Sequence, residues 1–114
     1  MLPTVLEGAA KLEAAGVSTA VVNLHTVKPL DEAFLTRAFA SFSVIASIEE
    51  HGLIGGLGAA LAEWKVDHNA KARLLRFGTA DAFLHESGGT RYARARNGLT
   101  SDAILQRVTA AVRP

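Results

Sequence analysis

SVIASIEEHGLIGGLGAALAEWK, residues Ser43 to Lys65, passes from an apolar run through an acidic pair and a glycine-rich turn into a helical pattern. Val44, Ile45, Ala46 and Ile48 form a short apolar run of the length expected for a strand covered on both faces. Glu49, Glu50 and His51 then fall at its carboxyl end. Gly52, Gly55, Gly56 and Gly58 permit a sharp turn and close backbone approach, and Leu57, Leu61 and Trp64 start an apolar stripe at three- and four-residue spacing. The unit reads as strand, loop, helix, with its polar groups gathered at one end. In open α/β sheets that end meets ligands and partner domains.

Working outward, Pro3 to Ala15 reads as a helix that stops at Gly16. The β-branched run Ser18 to Leu24 predicts a strand, which Lys28-Pro29-Leu30-Asp31 breaks, because Pro29 cannot continue a central strand. Asp31 is placed to cap a helix from Glu32 to about Phe42. Beyond the central unit, Ala72 to Phe77 predicts a further strand stopped by Gly78. The pattern loosens from Thr79 to Gly98, where Arg91, Arg94 and Arg96 surround Tyr92 and suit a short helix. Thr100 or Ser101 caps a last helix carrying Ile104, Leu105, Val108 and Val112. This order predicts an α/β fold with a mostly parallel sheet and helices on both faces, in one domain over residues 1–114.

Composition narrows the function classes. Twelve basic and eleven acidic side chains nearly cancel, so the charge balance calls for neither nucleic acid nor an acidic membrane surface. Cysteine is absent, which removes disulfides, thiolate catalysis and cysteine-based metal sites. No apolar run approaches the roughly 18 residues of a membrane span and no secretory leader is visible. The expected location is the cytoplasm.

The candidate chemistry admits plain readings beside sharper ones. Glu49-Glu50-His51 suits a general acid/base or metal cluster, a contact with a ligand or neighbouring domain, or a structural role in binding loop amides. Adjacent residues on a strand point to opposite faces, which argues against both carboxylates serving one centre. His25, His68 and His85 lack ligand spacing relative to His51, so no metal site is expected. Gly55, Gly56 and Gly58 before a helix invite an anion- or nucleotide-binding reading. The motif lacks both the spaced G-x-G-x-x-G and the G-K-[ST] ending, so close packing of the helix on a neighbouring backbone is the competing account. The arginine cluster suits a phosphate or a solvated basic face. No serine stands in a nucleophile elbow, and no residue is expected to be catalytic.

Taken together, Val21-Val22-Asn23-Leu24-His25-Thr26-Val27-Lys28-Pro29-Leu30-Asp31, then Ile48-Glu49-Glu50-His51-Gly52-Leu53-Ile54-Gly55-Gly56-Leu57-Gly58, then Phe77-Gly78 and Asp81-Ala82-Phe83, then Glu86-Ser87-Gly88 and Asn97-Gly98-Leu99-Thr100 resemble the C-terminal domain of transketolase. Related thiamine-diphosphate enzymes share this domain, including pyruvate dehydrogenase beta subunits and deoxyxylulose-phosphate synthases. The wording here is most similar to transketolase of the split, two-subunit kind. The resemblance implies a three-layer α/β/α fold with a mixed five-stranded sheet, lying behind two thiamine-diphosphate-binding domains. It also implies that thiamine diphosphate, Mg2+ and the activating glutamate belong to those other domains, leaving this chain an association role in an enzyme that moves two-carbon ketol units between sugar phosphates of the pentose phosphate pathway. Glu49, Glu50, His51, Gly55, Gly56 and Gly58 are its expected interdomain or ligand contacts.

The chain also departs from the family. It opens on a helix with no strand to feed it, whereas the family's domain begins with two further strands, the second lying between those corresponding to Ser18–Leu24 and Ser43–Ile48. An N-terminally truncated domain is therefore expected, with the middle of its sheet missing. Either the two flanking strands close up and pair, or a segment of another chain fills the slot; self-association is the favoured expectation.

Overall fold

The computed structural model describes residues 1–112. Its elements are α1 (Leu2–Ala14), α2 (Glu32–Ser41), β1 (Val44–Gly52), α3 (Leu57–Asp67), β2 (Arg73–Thr79), α4 (Thr90–Arg96) and α5 (Ser101–Val112). Each helix has a local cause. Pro3 lies in the first turn of α1, where its missing N–H is no loss. Asp31 Oδ1 accepts the Phe34 N–H at 2.9 Å and starts α2. Thr100 Oγ1 accepts the Ala103 N–H at 3.2 Å and starts α5.

β1 and β2 pair in parallel, from Val44 opposite Arg73 to Ile48 opposite Phe77. The apolar side chains on the two faces of this ribbon enter separate cores. On one face Phe77 packs with Leu12 of α1, Leu99, and Ile104 and Val108 of α5. On the other, Ile45 and Leu74 join Leu35 and Phe39 of α2 and Leu61 and Trp64 of α3. Burial on both sides is why these strands read as continuous apolar runs. The result is three layers, helices over sheet over helices.

The structure corrects the sequence reading at three places. Gly78 does not stop β2; it lies inside the strand, where an added Cβ would come within 2.7 Å of the His51 carbonyl oxygen. β1 likewise runs beyond Ile48 through Glu49, Glu50 and His51 to Gly52, with an irregularity in register between Ile48 and Gly52. The largest difference concerns Ser18 to Leu24, which is not a strand. The sequence supplies β-branched residues there, but a ladder needs a hydrogen-bonded neighbour. None of its backbone groups bonds to another backbone among the described residues; Thr19 N–H is taken by the Glu13 carboxylate at 3.2 Å.

β1 and Ser18–Leu24 do not close on each other. Between them lies a cavity of about 610 Å³, walled on one side by Ser18 to Leu24 and on the other by Val44 to Ile48. α1 and α5 are locked by Lys11, which donates to Ser101 Oγ at 2.9 Å and pairs with Glu7 at 2.9 Å and Asp102 at 2.6 Å. Gly8 lets them approach, since a Cβ there would meet Ile104 Cγ2 at 3.3 Å.

Candidate functional site

The polar residues singled out from the sequence lie at the carboxyl end of β1, where its register against β2 becomes irregular. Between Ile48 and Gly52 β1 spends more residues than β2 does between Phe77 and Thr79. Such an irregularity bends a strand and re-aims its side chains. Within it Glu49 and Glu50, adjacent on the strand, keep the alternation and serve opposite directions.

Glu49 turns toward α3. Its Oε2 accepts the Leu57 N–H and its Oε1 the Gly58 N–H, each at 2.7 Å. A carboxylate thus meets the free amides and the positive end of the helix dipole, a charge-assisted cap on a helix whose N-cap residue, Gly56, has no side chain to offer. The glycines make room for it. A Cβ on Gly56 would stand 2.3 Å from Glu49 Oε2 and 2.8 Å from His51 Nδ1, and one on Gly58 would stand 2.7 Å from Ser47 Oγ. Gly55, at φ +78°, takes the left-handed conformation that turns the chain into α3.

Glu50 turns toward α4. Arg94 donates to it through Nε at 2.7 Å and Nη2 at 3.1 Å, and the Met1 ammonium lies 3.6 Å away. The two-point hydrogen bond from Arg94 holds the Glu50 carboxyl below its ordinary range, outweighing the opposing effect of burial, and raises the guanidinium in turn. Arg96 lies 3.7 Å from Glu86, which also bonds the Tyr92 hydroxyl. Two of the three clustered arginines are therefore occupied by carboxylates. His51 is exposed, its Nδ1 2.9 Å from the Gly52 carbonyl oxygen.

Two residues that the sequence reading passed over hold this end together. Arg76 Nη1 donates to the Leu53 carbonyl at 3.0 Å, and Leu53 N–H donates to the Thr79 carbonyl at 3.0 Å. Arg76 looks like an ordinary strand residue in sequence, and nothing local marks its partner 23 positions away. Around the pinned turn, apolar side chains point outward. Ile54 is 77% exposed and Phe83, just beyond β2, is 92% exposed.

This arrangement answers two chemical possibilities. A phosphate or diphosphate would need the free amides at the start of α3, and Glu49 fills them with its own negative charge. Magnesium would need several hard ligands, and the described residues contain no group of three His, Cys, Asp or Glu placed to hold a metal ion.

The family model for the transketolase C-terminal domain matches residues 1–104. The chain belongs to that family. Curated relatives include 1-deoxy-D-xylulose-5-phosphate synthases from Chlorobium phaeovibrioides, 36% identical over 95% of this chain, and from Bacillus mycoides, 38% identical over 94%. The chain spans only 17% of the length of each. Among solved structures, a split-gene transketolase, an inactive beta4 tetramer, matches with a TM-score of 0.85 at 29% identity, covering 96% of this chain and 35% of that one. Family membership thus rests on both sequence and fold, and the α/β architecture read from the sequence holds. The relatives are synthases as well as a transketolase, so the family does not by itself assign the pentose phosphate pathway. No helix among the described residues is long and apolar enough to cross a membrane.

Proposed function

We propose that this chain is an association domain of a transketolase-type thiamine-diphosphate enzyme, joining its thiamine-diphosphate-binding domains or subunit through the carboxyl end of the sheet. The observation that carries the reading is the division of labour there. Glu49 and Glu50 are used within the chain to fix the loop and α4, while His51 and Ile54 beside them and Phe83, just beyond β2, stand exposed. Exposed apolar side chains suit a protein contact. Thiamine diphosphate and Mg2+ then belong to the partner domains. The complete enzyme transfers two-carbon units between sugar phosphates if of the transketolase kind, and the synthase relatives define the other branch. Cytoplasmic location is part of the same proposal.

The isolated chain, mixed with thiamine diphosphate, Mg2+, a ketose-phosphate donor and an aldose-phosphate acceptor, is expected to give no two-carbon transfer. Adding the thiamine-diphosphate-binding subunit of a split transketolase is expected to give a complex that co-elutes on size exclusion. Turnover by the chain alone, or no complex with such a subunit, would overturn the proposal. The rival reading, an independent anion- or nucleotide-binding module on the Gly55–Gly58 turn, predicts saturable calorimetric binding of phosphate or nucleotide that Gly56→Val abolishes. Occupation of those amides by Glu49 favours a flat titration instead.

A further inference from the structure

From Ala80 to Thr90 every residue is exposed, so the loop between β2 and α4 buries nothing of its own. Among the described residues the backbone of Ala80–Gly88 makes no hydrogen bond to any other element; Ala82 N–H bonds only back to the Ala80 carbonyl, at 2.9 Å. In the middle of the loop Phe83 is 92% exposed, and the His85 ring lies tilted 6.5 Å from its own. Burial does not offset the cost of ordering such a loop. Side chains supply the attachment instead. Glu86 accepts the Tyr92 hydroxyl and lies 3.7 Å from Arg96 Nε. Gly88 is packed so close to the Tyr92 ring that an added Cβ would collide with it.

α4 carries these contacts to the rest of the molecule. It has seven residues and none is buried, too short and too exposed to stand on its own propensity. Tyr92 and Arg96, one turn apart, share the face that meets Glu86, while Arg94, about half a turn round the helix, reaches Glu50 on β1. Beyond α4 the chain enters the core at Leu99, whose N–H is held by the Arg94 carbonyl at 2.8 Å. The loop's other end is fixed where the Thr79 carbonyl accepts the Leu53 N–H at 3.0 Å. Both ends are thus tied to β1 and the turn that follows it, from which His51 and Ile54 stand exposed. Exposed ion pairs contribute little to stability, and these cover no core. What they fix is where Phe83 and Leu84 stand.

We infer that Glu86 is a positioning residue for the partner contact: with Tyr92 and Arg96 it clasps the Ala80–Gly88 loop, so that Phe83 and Leu84 enter an apolar pocket of the thiamine-diphosphate-binding partner as a preset anchor. The inference rests on the association reading above and adds the residue that organises the contact and the chemistry of the surface it meets. That chemistry follows from the loop itself. Ala82, Phe83 and Leu84 carry no charge, and Asp81 and His85 border them, which suits a pocket apolar at its centre and polar at its rim. A loop already held in its bound conformation avoids the cost of ordering on association. A freed loop is competent for only a fraction of the time, and its apparent affinity falls by that fraction.

The test measures association and dissociation rates of the full chain with the thiamine-diphosphate-binding subunit of a split transketolase, and backbone NMR order parameters of the free chain. Glu86→Ala is expected to bind about three- to fivefold more weakly, the range that exposed contacts supply. The loss is expected in the association rate, since the seated anchor is unchanged, whereas Phe83→Ser is expected to speed dissociation. Order parameters over Ala80–Gly88 are expected to fall in Glu86→Ala while the melting temperature holds. Glu86→Gln, whose amide oxygen still accepts from Tyr92, is expected to recover part of the affinity. Tyr92→Phe is expected to lose part of it, and to add nothing in combination with Glu86→Ala. Equal affinity of parent and Glu86→Ala, unchanged order parameters, or a loss carried by dissociation would overturn the inference and leave the association reading standing. A parent chain that binds no such subunit overturns that reading, and the inference with it.

Discussion

Glu49 and Gly58 are joined by a hydrogen bond of 2.7 Å from the Gly58 N–H to the Glu49 carboxylate, across the turn that separates β1 from α3. The bond explains why a glycine-rich turn before a helix, which in another protein would cradle a phosphate, binds the chain to itself here. Replacing the carboxylate removes a cap shared by two amides. Glu49→Ala is expected to lower stability by about 1–2 kcal/mol, and melting temperature by several degrees, with Glu49→Gln intermediate. Thermal unfolding followed by circular dichroism checks this; a shift within error would show that the cap is not formed in solution.

Gly56 and Glu49 should behave as one unit. An alanine methyl at position 56 would stand 2.3 Å from Glu49 Oε2, and the carboxylate, being the end of a flexible side chain, is the group that gives way. Gly56→Ala alone is therefore expected to cost about as much as Glu49→Ala. In the double variant the two losses are expected not to add, leaving a coupling of about 1 kcal/mol. Additive losses would place the strain of Gly56→Ala elsewhere.

The Glu50–Arg94 pair gives a pH dependence of known sign. Because Arg94 depresses the folded-state pKa of Glu50, the unfolded chain binds the proton more readily. The stabilisation is complete above the ordinary carboxylate range, about pH 4.3, and is lost as pH falls through the lower folded value. Arg94→Gln is expected to flatten that acid limb and to leave stability at pH 7 little changed, since both side chains are partly exposed and screened. An acid limb identical to the parent's would contradict the pairing.

Phe83 and His51 test the docking rim. Both are exposed, so Phe83→Ser and His51→Ala are each expected to change folding stability by less than about 0.5 kcal/mol. Affinity for a thiamine-diphosphate-binding partner is expected to fall about tenfold or more with Phe83→Ser, as for a buried aromatic anchor, and measurably with His51→Ala. Equal losses of melting temperature and affinity would mean that these residues support the fold rather than the contact.

Several features of this chain were fixed by local rules that operate on neighbouring residues. Asp31 before Glu32 announces a capped helix wherever it occurs, and the apolar runs at Val44–Ile48 and Leu74–Phe77 need two covered faces, which α1 with α5 and α2 with α3 provide. The opposed directions of Glu49 and Glu50 followed from strand alternation, and the family from ordered motifs. What each carboxylate meets did not. Arg94 is 44 positions from Glu50, and Leu57 is reachable from Glu49 only because the turn folds back, so only the tertiary structure brings each carboxylate to its partner. The same division explains Ser18–Leu24. Its residues have strand propensity, but a strand exists only through hydrogen bonds to a neighbour, and a cavity separates it from β1.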